Sequence, residues 1–175
     1  MLRVSSRVHY GLRVMTRLAR AYGQGPVALS DIAAAERLPL PYLEQIVAHL
    51  RRAGLVEGQR GVHGGYRLTR PPEAISVAAV LQALEGALAL VDCVAADYVP
   101  GSCAVEGDCL SRALWLRLHQ AITAVLESTT LADLVRSERT DRGPGALAPV
   151  VEKVLAAAET AACQSRTGEE YSGRL

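Results

Sequence analysis

Between residues 40 and 54 the chain reads LPYLEQIVAHLRRAG, and Leu43, Ile46, Val47 and Leu50 recur at i, i+3, i+4 and i+7. That spacing puts four apolar side chains on one face of a helix and leaves the other face polar. Pro41 fits the first turn of such a helix, where its missing N–H costs nothing, and Gly54 marks the end. Just upstream, LSDIAAAERL predicts a shorter helix. Ser30 stands where an N-cap belongs, and Asp31 falls in the first turn, where the helix dipole favours an acid. Further upstream, Val8, Leu12, Met15, Ala19 and Tyr22 trace one face of a first helix, and the arginines around them predict a basic outer face.

The pattern then changes period. LVEGQRGVHGGYRLT predicts two short strands, about Leu55–Gly58 and Tyr66–Thr69, around a glycine-rich turn. Two helices joined by a tight turn and followed at once by a hairpin form a winged helix. In that arrangement the second helix enters the major groove of a DNA duplex and the wing touches backbone or minor groove. Tyr42, Glu44 and Gln45 occupy the exposed start of the recognition helix, Arg60 and His63 the tip of the wing, and Arg67 and Arg70 its flank. Ser30, Pro41, Arg51 and Gly61 complete the candidate DNA-facing positions.

SVAAVLQALEG predicts a short amphipathic helix starting after Ser76, and a loop leads to SRALWLRLHQAITAVLES, residues 111–128. Leu114, Leu118, Ala121, Ile122 and Val125 form a stripe that Trp115, Leu116 and Leu126 widen beyond one face. So broad an apolar surface needs cover on more than one side. A second copy of the chain supplies it, and dyad symmetry places two reading heads on one site. TLADLVR adds one or two helical turns, RSERTDRGPG is a polar linker, LAPVVEKVLAAAETAA can form a tail helix, and the last residues read as disordered. The expected class is mainly α: a winged helix-turn-helix domain over residues 1–75, a cysteine loop and dimerisation helices over 76–135, and a linker and tail over 136–175.

Composition narrows the function. Half of the 175 residues are apolar, enough for a core, yet no run of eighteen apolar residues exists to cross a membrane. The net charge of +1 hides an asymmetry: residues 1–72 hold eleven arginines against four acids, a balance of +7, and the remainder carries −6. A basic half beside an acidic one suggests a polyanionic partner for the first. The acid-free, arginine-containing start resembles a transit peptide, but its helical apolar face favours a core helix. No apolar h-region follows the charges, so the expected compartment is the reducing cytoplasm, where structural disulfides are rare. Aromatic residues are few and Phe is absent, which disfavours stacking on single strands. Neither a phosphate loop nor a Ser/His/Asp set nor paired carboxylates points to an enzyme.

Three of the four cysteines, Cys93, Cys103 and Cys109, lie in the loop CVAADYVPGSCAVEGDC. In a reducing compartment such clustering favours metal or redox chemistry. Thiolates suit iron–sulfur clusters, zinc and Cu(I). A structural zinc site usually carries a CxxC knuckle, which is absent. Thiol switching and three unrelated cysteines remain alternatives, and Cys163 reads as a spare.

The stretches PYLEQIVAHLRRAGLV and RGVHGGYRL, with RVSSRVHYGLRVMTRLA before them and TLADLV after, carry a specific likeness over roughly residues 2–135. The chain resembles the winged-helix repressor family that includes IscR, NsrR and CymR. This resemblance implies a homodimer on a double-stranded DNA operator. It further implies an iron–sulfur cluster on Cys93, Cys103 and Cys109, 2Fe–2S favoured over 4Fe–4S, sensing redox, nitric oxide or cluster status. Nine residues separate Cys93 from Cys103, more than is usual in the family, while five separate Cys103 from Cys109. Relatives fill the fourth ligand position differently. The position used by the nitric-oxide sensors, in the partner's first helix, is His9 here. The histidine position of the cluster regulators is Arg112, which cannot ligate, and His119 lies far along the long helix. Where relatives often carry serine, Pro41 removes one hydroxyl. Other relatives work without a cluster, through a protein partner, and that reading, with a zinc site or a thiol switch, is the alternative.

Overall fold

The computed structural model describes residues 4–61 and 64–140. His63, Cys163 and the expected tail helix lie outside them. Helix α1 (Ser6–Arg20) starts where Ser5 turns to extended backbone and its hydroxyl accepts the Val8 N–H at 3.2 Å. Val8, Val14, Met15 and Leu18 enter the core. Tyr22, expected on the same face, falls beyond the helix end, where the Gln24 N–H closes a turn onto the Ala21 carbonyl, and is exposed.

Helix α2 (Leu29–Glu36) is not capped by Ser30, contrary to expectation; Ala28 precedes it and no side chain caps it. The cause is tertiary. Val27 forms a two-way bridge to Tyr66 of the wing, at 2.9 and 2.8 Å, and this fixes the chain so that the helix begins two residues early. Ser30 therefore sits inside the first turn, exposed, with Asp31 beside it as expected. Arg37 closes α2 in the left-handed region (φ 55°), and Pro39 leads directly into α3 (Leu40–Arg52), with Pro41 in its first turn. Leu43, Ile46, Val47 and Leu50 are at most 1% exposed, so the predicted stripe is the buried one.

Strands β1 (Val56–Gln59) and β2 (Gly65–Leu68) pair antiparallel, Val56 opposite Leu68 and Glu57 opposite Arg67, one residue from the expected bounds. Gly65 has no substitute: a Cβ there would strike the Val27 carbonyl, a backbone group that cannot step aside. Helix α4 (Val77–Glu85) is capped by the Ser76 hydroxyl, which accepts the Ala79 N–H at 3.2 Å. It packs against α1, α3 and the long helix α5 (Arg112–Ser128). Helix α6 (Leu131–Thr140) folds back onto α1; the Leu131 N–H bonds the Ile75 carbonyl at 3.0 Å and its side chain is buried. The expected polar linker thus begins late, because residues 136–140 continue α6. These elements make a mainly α winged helix with a long additional helix.

Arg13 and Arg17 were expected on a basic outer face. They turn instead toward Glu36, which is 7% exposed: Arg17 Nε donates to Glu36 Oε1 at 2.5 Å and Arg13 pairs with the other oxygen. Burial pushes the Glu36 carboxyl up, but the Arg17 hydrogen bond and the two positive charges outweigh it and hold the pKa below its ordinary value. A depressed carboxylate pKa contributes stability that is fully present above the unfolded value of ~4.3 and disappears as pH falls through the folded one. Glu36→Gln should therefore cost about 1–2 kcal/mol near neutral pH, less than a fully buried pair because both arginines are partly exposed. Urea midpoints of the two proteins should converge in acid; a constant gap from neutral to acid pH would refute the assignment.

Candidate nucleic-acid interface and cysteine loop

The buried stripe of α3 turns its opposite side outward, and Pro41, Glu44, Gln45 and Arg51 are all exposed there. Ser30 opens onto the same helix-turn-helix from α2. Tyr42 is half-buried. Its ring meets Tyr10 of α1 edge-on at 6.0 Å, and the Arg13 guanidinium lies 5.7 Å from the Tyr10 ring centroid. Tyr10, with Arg13 over its ring, thus packs α1 against the start of α3, a contact not anticipated from sequence, although the i, i+3 spacing of the pair on α1 was there to be read. At the last turn of α3 the exposed Arg51 and Arg52 add positive charge.

The wing turns at Gly61, whose φ of 120° suits glycine alone, and the Gly64 N–H returns to the Gly61 carbonyl at 2.9 Å. Arg60 is exposed at this tip. Arg67, expected on the flank, is exposed but spends its Nε on Glu57 across the strands at 2.7 Å. Arg60 is thereby the better candidate for a phosphate contact. Arg60→Ala should weaken duplex binding similarly for all sequences and reduce the log–log salt slope by about 1. A salt titration with an unchanged slope would remove the wing from the interface.

The cysteine loop between α4 and α5 is built from short turns. Cys93 lies in a single 3₁₀ turn (Asp92–Val94), and Cys109 follows another (Glu106–Asp108). Glu106 ties the loop together: it accepts the Gly101 N–H at 2.5 Å and pairs with Arg112 at 3.4 Å, while Arg112 lies over the Tyr98 ring. The Gly101 hydrogen bond, aided by Arg112, holds the Glu106 carboxyl below its usual pKa. Cys93, Cys103 and Cys109 are free thiols, each partly exposed. Cys109 Sγ is 3.5 Å from the Ser111 hydroxyl, and hydrogen bonding by Ser111, with Arg112 nearby, lowers its pKa. These donors fit soft-metal or iron–sulfur chemistry: reduced, accessible, and in one case already biased to thiolate. Among the described residues, however, no three His, Cys, Asp or Glu side chains converge as a ligand set. His9 is exposed on α1 in edge contact with Tyr10, and is not gathered with the cysteines of its own chain.

No helix among the described residues is long and apolar enough to cross a membrane. Helix α5 has no buried residue; Leu114 is 54% exposed, and Leu118 and Val125 are each 38% exposed on the same side.

Comparison with known proteins agrees with this architecture. A family model described as Rrf2, iron-dependent transcriptional regulator, matches residues 4–137. The HTH-type transcriptional regulator CymR of Bacillus subtilis is 41% identical over 133 residues, covering 76% of this chain and 89% of the relative. The solved structure of CymR, the global cysteine regulator of B. subtilis, superposes with a TM-score of 0.66 over 81% of this chain and 100% of that one. That of T. potens IscR superposes at 0.64 with 37% identity, over 81% and 93%. These relatives are regulators, not enzymes. With its helix-turn-helix, its wing and this match across nearly all the described residues, the chain belongs to the Rrf2 family of helix-turn-helix transcriptional regulators.

Proposed function

We propose that this protein is a homodimeric repressor whose hold on a double-stranded DNA operator is set by an iron–sulfur cluster in the loop before α5. The supporting observation is that three free, partly exposed thiols sit on the segment joining the winged helix to an α5 whose apolar side is uncovered. Cys93, Cys103 and Cys109 would hold the cluster, and His9 of the second copy is the candidate fourth ligand, since imidazole is a competent iron ligand. When bound, such a cluster supplies redox chemistry and reactivity toward oxidants and nitric oxide. The loop's own residues do the coupling. Glu106 and Arg112 fasten it to the first turn of α5, so a loop that tightens or relaxes acts on the helix that spaces the two reading heads.

The cluster matters to DNA only insofar as it favours one spacing of those heads over another. A second reading, in which the thiols themselves switch or the protein acts through a partner, is supported by the lowered pKa of Cys109 and by the absence of a converged ligand set among the described residues. Iron, sulfide and zinc analysis of anaerobically purified protein separates the two. Iron with matching acid-labile sulfide is expected. Zinc, or neither metal, would overturn the cluster reading without touching the DNA-binding one.

A further inference from the structure

On its inner side α5 walls a cavity of about 250 Å³ that neither the reading head nor the cysteines use. Its other walls are α4 (Ala78, Leu81) and the first part of the loop, including Leu88 and Val94. Most of the lining is aliphatic. Gln82, His119, Thr123 and Glu127 break it, and two of their atoms, His119 Nδ1 and Thr123 Oγ1, lie out of solvent with no hydrogen-bond partner. Four residues apart, they share one face of α5. An unpaired buried polar atom is costly, so two on one cavity wall call for an explanation. One ordered water needs only about 10–15 Å³ of such space, and this cavity is far larger, though smaller than the ~300–1,000 Å³ of sites for drug-sized ligands.

We propose that the cavity binds a small, uncharged, mostly apolar molecule whose single polar head bonds His119 and Thr123, and that its occupancy alters DNA affinity. No Lys or Arg lines the site, whereas Glu127 does, which disfavours an anion. The most exposed apolar side of α5, with Leu114, Leu118 and Val125, faces about 140° around the helix from His119 and Thr123. The route to DNA is short. Helix α4 gives Ala78 and Leu81 to the cavity and buries Val77, Val80 and Leu84, and it packs against the recognition helix α3. A ligand that wedges α4 from α5 therefore acts on the reading head. By linkage, DNA must change the ligand's affinity by the same factor.

The test uses the full-length dimer with benzyl alcohol as probe and benzoate as its anionic counterpart. Methyl NMR signals of Leu81, Leu126 and Thr123 should shift saturably with benzyl alcohol and not with benzoate. Thr123→Val, nearly the same shape, should weaken benzyl alcohol about 3- to 10-fold, and Leu126→Trp should abolish binding by filling the space. The same results are expected in a variant with Cys93, Cys103 and Cys109 replaced by serine, so failure of the cluster reading is distinguishable. Unmoved methyls, equal binding in Thr123→Val, or tighter binding of benzoate would overturn the site. An unchanged benzyl alcohol affinity on adding a selected duplex would overturn its effect on DNA.

Discussion

Leu118→Asp should split the dimer and lower affinity for a two-half-site duplex about 10²–10⁴-fold, while binding to an isolated half-site stays near its starting value. The range is the gain expected when a second head binds intramolecularly, at the effective concentration set by the first. The substitution acts on association and not on folding, because α5 buries no residue within its own chain. Leu118 is 38% exposed, with Leu114 and Val125 beside it, so a carboxylate there meets solvent in the monomer and apolar surface only in the proposed dimer. Sedimentation and duplex titration on the same samples give the answer. A Leu118→Asp protein that remains dimeric would move the interface elsewhere.

The second large effect concerns base readout. Glutamate can accept from cytosine N4 and glutamine can pair with adenine, each good contact being worth about 1–3 kcal/mol of discrimination. Glu44 and Gln45 are exposed, while Leu43, Ile46 and Val47 around them are buried, so truncation leaves the helix seated. The double variant Glu44→Ala, Gln45→Ala should lose on the order of 10- to 1,000-fold against the best duplex and little against random DNA. Duplex selection from a genomic library would show a degenerate motif. An unaltered motif would mean that another face of α3 reads the bases.

What the sequence made legible was whatever depends on local spacing. The α3 stripe, the start of α4 after Ser76 and the glycine-rich wing each follow from residues within one or two turns of each other, and each stands where expected. Expectations failed where a distant residue intervened. Ser30 lost its capping role because Tyr66, thirty-six positions later, pairs with Val27. Arg13 and Arg17 left the solvent face because Glu36, an unremarkable acid in the sequence, is buried between them and the core. Helix α6 runs past Arg136 through a polar stretch because Leu131 and its neighbours dock on α1, and packing overrides weak local propensity. The cavity at His119 and Thr123 had no sequence signal: an i, i+4 polar pair in a long helix ordinarily faces water. The cysteines were visible, but their placement depends on a loop too irregular for periodicity to describe.

If the state of the cysteine loop sets DNA affinity, three forms of the protein separate into two groups on one duplex. A duplex selected from genomic fragments is titrated under anaerobic conditions with iron–sulfur-loaded protein, cluster-free protein, and the Cys93→Ser, Cys103→Ser, Cys109→Ser variant. The loaded and cluster-free forms should differ about 5- to 150-fold, with the serine variant matching the cluster-free form. Equal affinity for all three on the same duplex would contradict control by the loop.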